Sequence, residues 1–147
     1  MADQATRRTV IQASPEQVWA ALTDFDAYPT WAHDLKSATV VARDAQGRPR
    51  DVAFRAAAMG RSTNYTLRYD YSNAPKVLAW RLLAGDITRK LDGSYELHPV
   101  DGDPNATEVV YHLEVDLVVP LPAFVKRRAE GRIMSNALRH LQDHLER

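Results

Sequence analysis

The segment Thr9-Val10-Ile11-Gln12-Ala13-Ser14-Pro15-Glu16-Gln17-Val18-Trp19 changes character in its middle. Thr9, Val10 and Ile11 belong to an extended run from Thr6 to Ala13, because β-branched side chains suit a pleated backbone. Ser14 then offers a side-chain oxygen to the first free amides of a helix. Pro15 sits where no helical N–H is needed, and Gln17 stands three residues after Ser14, as a capping box requires. The helix that follows carries Val18, Trp19 and Leu22 on one face and ends near Thr23. A second short helical or turn segment is expected from Asp24 to Trp31, interrupted by Pro29.

Downstream the hydrophobic period becomes two. Strands are predicted near 35–43, 50–58, 62–72, 76–84, 87–98 and 106–119, which with the first strand makes seven. The turns between them hold Gln46-Gly47, Met59-Gly60, Asn73-Ala74-Pro75, Gly85-Asp86 and Asp101-Gly102-Asp103-Pro104. Gly93, inside the sixth strand, implies a bulge or a close backbone approach. Pro120 and Pro122 stop the last strand, and Ala123 to Arg147 is long enough for a helix of about seven turns. Its second half bears a stripe of Met134, Leu138, Leu141 and Leu145, flanked by Ile133 and Ala137. An α+β fold follows: one curved antiparallel sheet with the long helix on its concave face, so that each buries the other's apolar side.

Composition narrows the function. At 147 residues the chain is expected to form a single domain, residues 1–147. Lys plus Arg (19) balances Asp plus Glu (19), so global charge argues against a general binder of nucleic acid or anionic membranes. Without cysteine there is no disulfide framework, thiolate nucleophile or sulfur-built zinc site. Residues Met1 to Val10 are polar and carry no signal-peptide core, and no apolar run approaches a membrane span, so a cytoplasmic protein is expected. The charges are nevertheless segregated. Ser14 to Asp34 holds four acids and no Lys or Arg, whereas Leu121 to Arg147 holds six bases and three acids.

Several separated motifs resemble the START-like, or helix-grip (SRPBCC), superfamily of polyketide cyclase/dehydrase and lipid-transport type. They are Ile11 to Trp19, Leu22-Thr23-Asp24-Phe25-Asp26-Ala27-Tyr28-Pro29-Thr30-Trp31, Gly93-Ser94-Tyr95-Glu96-Leu97, Thr107-Glu108-Val109-Val110-Tyr111, and Leu121-Pro122 leading into the last helix. One departure is Ala32-His33 after Trp31, where relatives often carry proline. The resemblance implies a seven-stranded sheet, two short N-terminal helices and a long C-terminal helix over an inner cavity. It transfers no catalytic residue, because the shared motifs shape the framework.

Strand alternation gives the faces. Val52, Phe54, Ala56 and Ala58 share a side, as do Tyr65, Leu67, Tyr69 and Tyr71. Leu78, Trp80 and Leu82 align in the fifth strand, Tyr95 and Leu97 in the sixth, and Val109, Tyr111, Leu113, Val115 and Leu117 in the seventh. Five of six tyrosines thus fall on the inner side. That pattern fits an aromatic-walled ligand chamber, and it also fits a packed core whose hydroxyls reach water at the rim. Ala38, Ala42, Ala56 and Ala58 stand where larger residues could have filled space, which favours the chamber. The candidate ligand-binding residues are Phe54, Tyr65, Leu67, Tyr69, Trp80, Tyr95, Tyr111 and, from the long helix, Arg127, Glu130 and Met134. Arg127 could hold a ligand carboxylate or phosphate with Glu130 orienting it; the more ordinary reading of Lys126, Arg127, Arg128 and Arg132 is a solvated basic face. Gly131 costs about 1 kcal/mol against alanine in a helix interior, so it marks a close contact or space for a ligand.

The inner face, so read, has no His, Asp, Glu or Lys to act as an acid–base pair, which favours binding over catalysis. His140 and His144 have the spacing of a metal pair but no third ligand nearby, so neither metal nor cofactor is expected. His112 faces outward among acids, and His33 near the mouth is a minor acid–base candidate. The reading is a binding or carrier protein for a hydrophobic small molecule: a lipid, a quinone or a polyketide-like aromatic. The alternative is an aromatase/cyclase or dehydratase using the same cavity. A homodimer is compatible with either, and a third possibility is a filled core with a partner-binding surface.

Overall fold

The computed structural model describes residues 3–58 and 60–147. They form β1 (Asp3–Ile11), α1 (Pro15–Thr23), a 3-10 turn (Phe25–Ala27), α2 (Tyr28–Trp31), β2 (Leu35–Arg43), β3 (Pro49–Ala58), β4 (Arg61–Asp70), β5 (Val77–Gly85), β6 (Thr88–Val100), β7 (Asp103–Leu117) and α3 (Ala123–Leu145). All seven strands make one antiparallel sheet in the order β1-β7-β6-β5-β4-β3-β2. The expected α+β helix-grip architecture is therefore present. Met1, Ala2 and Met59 lie outside the described residues, and with Met59 goes half of the expected Met59-Gly60 turn; Gly60 itself has a φ of 75°.

Local chemistry explains the boundaries. The Ser14 hydroxyl accepts from the Gln17 N–H at 3.2 Å, and the Gln17 side chain accepts from the Ser14 N–H at 2.9 Å, closing the capping box at α1. Pro29 lies in the first turn of α2 rather than breaking a helix, for its missing N–H has no helical partner there. The last hairpin is tighter than expected. Val100 pairs with Asp103, so only Asp101 and Gly102 turn the chain, with Gly102 at φ 79°, and Asp103 and Pro104 already belong to β7.

The sheet is not uniformly paired. β5 and β6 pair from Val77↔Glu96 to Trp80↔Gly93; beyond that point the Leu82 N–H donates instead to the Asp92 carboxylate at 2.9 Å. Gly93 stands at this divergence. A Cβ built on it would lie 2.3 Å from the His112 carbonyl oxygen and 2.8 Å from Cζ2 of Trp80, so the glycine marks a close approach that admits the indole.

α3 crosses the concave face, close to β1, β7 and α2. Met134, Leu138 and Leu141 are buried there. Its C-terminal end is fastened to β1: the Gln12 N–H donates to the Glu146 carboxylate at 3.0 Å, and the Gln142 amide to the Val10 carbonyl at 3.3 Å. Near its start the Glu130 carboxylate accepts the Leu117 N–H at 2.9 Å, and Lys126 reaches Asp116 at 2.6 Å. A methyl group placed on Gly131 would meet nothing within 4 Å, so this glycine borders open space rather than a close contact.

On the outer face Asp51 sits opposite Arg68 and accepts both Nε and Nη2, at 2.8 and 3.0 Å. The Arg68 guanidinium holds the Asp51 carboxyl below the usual carboxylate range, as Lys126 does for Asp116 and Lys90 for Glu114. Folded-state values depressed in this way give stability that is complete above the ordinary carboxylate range and lost as pH falls through the depressed values. Melting temperature is therefore expected to be level above about pH 5 and to drop below about pH 4, with Asp51→Asn costing more at neutral pH than at about pH 3. Gly93→Ala should destabilise by roughly 1–3 kcal/mol through overpacking, whereas Gly131→Ala should stabilise by about 1 kcal/mol; denaturant unfolding of both variants checks the contrast.

Candidate functional site

Between the sheet and α3 lies a cavity of about 180 Å³. Its deep wall is aromatic. Tyr95 and Tyr111 are cross-strand partners with ring centroids 4.8 Å apart, and Trp80 lies 5.2 Å from Tyr95 and 6.0 Å from both Tyr69 and Tyr111. Phe54 and Tyr65, cross-strand partners on β3 and β4, stack at 5.5 Å. Leu67, Leu91, Leu113 and Leu117 complete the apolar lining from the sheet. The opposite wall comes from α3 through Ile133, Asn136, Ala137 and His140, and from the N-terminal segment through Tyr28, Trp31, Ala32, Asp34 and Leu35. Exposure rises toward Asp34, Ala57, Ile87 and His140, which places the mouth between the α2–β2 loop, the β3–β4 and β5–β6 hairpins and the middle of α3.

Seven of the sequence-derived candidates line this cavity together: Phe54, Tyr65, Leu67, Tyr69, Trp80, Tyr95 and Tyr111. The three from α3 do not. Arg127 is exposed on the far side of the helix. Glu130 is 1% exposed, but its carboxylate caps the end of β7 at the Leu117 amide, with the Lys126 ammonium 3.9 Å away. Met134 is buried in the core beside the cavity rather than in its lining. The helix presents two neighbouring stripes, and the core stripe through 130, 134, 138 and 141 is not the one that meets the cavity. The cavity stripe runs through 133, 137 and 140.

Tyr71 is the other departure. Its hydroxyl donates to the Pro49 carbonyl at 2.5 Å, its ring carries the Arg48 guanidinium at 4.7 Å, and it is absent from the lining. Burial pushes its pKa up to about 12. Tyr28 takes its place, with its own hydroxyl held by the Leu22 carbonyl at 2.5 Å. Of the four spacious alanines, Ala56 lines the cavity, Ala38 and Ala42 do not, and the side chain of Ala58 lies outside the described residues.

The hydroxyls of Tyr65, Tyr69, Tyr95 and Tyr111 differ from those of Tyr28 and Tyr71. Among the described residues, none of the four donates to a protein group. Burial drives the pKa of each well above that of a free phenol, so all four remain neutral donors at any physiological pH.

Two titratable groups that the sequence does not place in the lining stand at the mouth. Asp34 comes from the α2–β2 loop and accepts from the Asn136 amide at 3.2 Å; His140 comes from α3, with the His33 ring 5.0 Å away. Burial lowers the pKa of His140, the negative charge of Asp34 opposes that shift, and His33 and Arg139 reinforce it. The helical spacing from Ile133 through Ala137 to His140 was the available signal. Among the described residues no group of three or more His, Asp or Glu could hold a metal ion.

The family model for polyketide cyclase / dehydrase and lipid transport matches residues 3–146. The chain belongs to that family. Solved structures agree in fold: a START superfamily protein from Mycobacterium smegmatis superposes with a TM-score of 0.87 at 23% identity, over 97% of each chain. Zhui aromatase/cyclase from Streptomyces sp. R1128 gives 0.83 at 16% identity, covering 100% of this chain and 95% of that one. The di-domain aromatase/cyclase BexL gives 0.73 at 17% identity, with this family member covered to 98% and spanning 46% of the larger chain. Comparison with curated proteins found no match.

The His140 ring is expected to titrate below the ordinary histidine value of about 6.5, and Asp34→Asn should lower its midpoint further by removing the opposing charge; NMR titration of the imidazole resonances reads both.

Proposed function

We propose that the protein binds a small, flat, largely apolar molecule carrying oxygen acceptors, and acts as a binding or carrier protein for it. The observation that supports this most is the set of four neutral tyrosine hydroxyls without a protein acceptor, gathered on one apolar wall. Among the described residues only Arg50 Nε is a fully buried side-chain polar atom without a partner, so these hydroxyls open onto the cavity space, where a guest's carbonyl or ether oxygen can accept from them at about 0.5–1.5 kcal/mol for each hydrogen bond. Apolar burial would supply most of the affinity, at roughly 25 cal/mol per Å² before the costs of association. The tyrosines would supply selectivity. A cavity of about 180 Å³ fits one or two fused rings better than a sterol or a phospholipid, so within the hydrophobic class the aromatic or quinone-like members suit it best. A single domain working in the cytoplasm fits this reading.

A second reading, an aromatase/cyclase or dehydratase, draws support from Asp34 and His140. An imidazole kept neutral by burial at the mouth of an aromatic chamber is placed to take a proton from a guest, and buried phenols can hydrogen-bond a developing enolate oxygen. Under this reading, turnover of a polyketide-like substrate would rise with pH through the His140 midpoint and would be lost in His140→Gln with binding retained.

The binding proposal is tested with two molecules of one shape, 1-tetralone and its hydrocarbon counterpart tetralin, followed through intrinsic tryptophan fluorescence, to which the lining residues Trp31 and Trp80 contribute. The ketone should bind more tightly, and Tyr95→Phe or Tyr111→Phe should remove roughly 3- to 10-fold of that preference while leaving tetralin unchanged. Equal affinity for both, with no response to either substitution, would count against the hydroxyl wall as the recognition element.

A further inference from the structure

The segment from the end of β7 into α3 exposes more apolar surface than its neighbours. Val118 is 49% exposed, Leu121 39% and Phe124 64%, within seven consecutive residues. A phenyl ring held that far into water on the first turn of a helix contributes nothing to the core.

What surrounds it is cationic. Arg127 and Arg128 follow Phe124 by three and four residues and so share its side of α3, and Arg132 lies one further turn along. All three are exposed, and none is paired with an acid among the described residues. Lys126 is different, since it turns inward to Asp116 and Glu130. The helix start thus separates its bases into one that builds the fold and three that face outward beside exposed apolar groups.

The position of this patch matters as much as its content. The Val118 N–H donates to the Ile87 carbonyl at 2.6 Å, and Ile87, Thr88 and Leu117 belong to the cavity lining. The apolar–cationic face is therefore continuous with one side of the mouth. The net charge of zero does not oppose this, because at physiological ionic strength charges are screened beyond about 8 Å and a surface meets the local patch rather than the sum.

We infer that this face docks the protein on an anionic lipid surface, with Phe124 and Leu121 entering the headgroup region and Arg127, Arg128 and Arg132 resting on lipid phosphates. An aromatic and an aliphatic side chain flanked by unpaired arginines match the two attractions that hold peripheral proteins on bilayers, apolar insertion and charge. Binding would be reversible, and the mouth would lie at the interface. The inference concerns the outer surface and stands apart from the identity of the cavity's guest.

The test is sedimentation of the full chain with vesicles of phosphatidylcholine alone and with about a third phosphatidylglycerol. Binding is expected to the anionic vesicles only and to weaken with salt. Phe124→Ser should reduce the partition coefficient on the order of 10-fold, as should the double variant Arg127→Gln with Arg128→Gln. Arg8→Gln, an exposed arginine on β1 with the same change of charge, should leave it nearly unaltered. Circular dichroism melts of the variants confirm that each is folded. No binding to anionic vesicles overturns the inference, as does binding that the Phe124 and arginine variants leave unchanged. Concentration-dependent dimerisation of the wild type in sedimentation velocity, abolished by Phe124→Ser and without vesicle binding, would assign the face to a second copy and overturn it equally.

Discussion

The constraint on which the structure depends is a mismatch of widths. Seven strands at about 4.8 Å spacing make a sheet that one helix, about 10 Å across with its side chains, cannot cover. α3 settles near β1 and β7, and the strands on the other side of β6 must find cover elsewhere. The N-terminal helices shield the β2 edge, and large aromatic side chains from β3 to β7 extend into what remains. Those rings shorten the gap without closing it. A cavity in this fold is thus a geometric remainder, and its chemistry is decided by which side chains project into it.

That remainder is polar in a restricted way. The carboxylates of the sheet lie on the outside, where Asp51, Glu114 and Asp116 are neutralised by Arg68, Lys90 and Lys126. Glu130, buried on the inner face of α3, accepts from a strand-end amide. The deep wall is left with phenols, groups that donate a hydrogen bond without bearing charge. Among the described residues, carboxylate and imidazole groups enter the lining only at the mouth, through Asp34 and His140.

Most of the framework could be read from the sequence because its signals are local. Ser14 and Gln17 announce the start of α1 within four residues, and strand alternation put Phe54, Tyr65, Tyr69, Trp80, Tyr95 and Tyr111 on one face without any knowledge of what they face. The failures share a cause of the opposite kind. Whether residue 130 or residue 133 of α3 looks into the cavity depends on the rotation of the helix over the sheet. That rotation is set by long-range ties such as Glu130 to Leu117 and Gln142 to Val10. For this reason the sequence leaves open whether Arg127 and Glu130 meet the chamber or solvent, and it offers His140 only as half of a metal-spaced pair with His144. Tyr71 obeyed strand alternation but stands at the end of β4, where the Pro49 carbonyl and Arg48 claim it, while Tyr28 comes from a four-residue helix with no periodicity to read.

The divergence of β5 from β6 gives the wall a construction that its lining residues do not reveal. Past Trp80 and Gly93 the ladder stops, and the two strands are held by the Asp92 carboxylate gripping the Leu82 amide. Within the single sheet, β2 to β5 and β6-β7-β1 are joined by a ladder of four residue pairs, Val77↔Glu96 to Trp80↔Gly93. The shortest ladder of the sheet thus lies directly behind the aromatic wall, and the contact that follows it comes from Asp92, a residue outside the lining, so the wall's backing depends on a side chain that no guest touches.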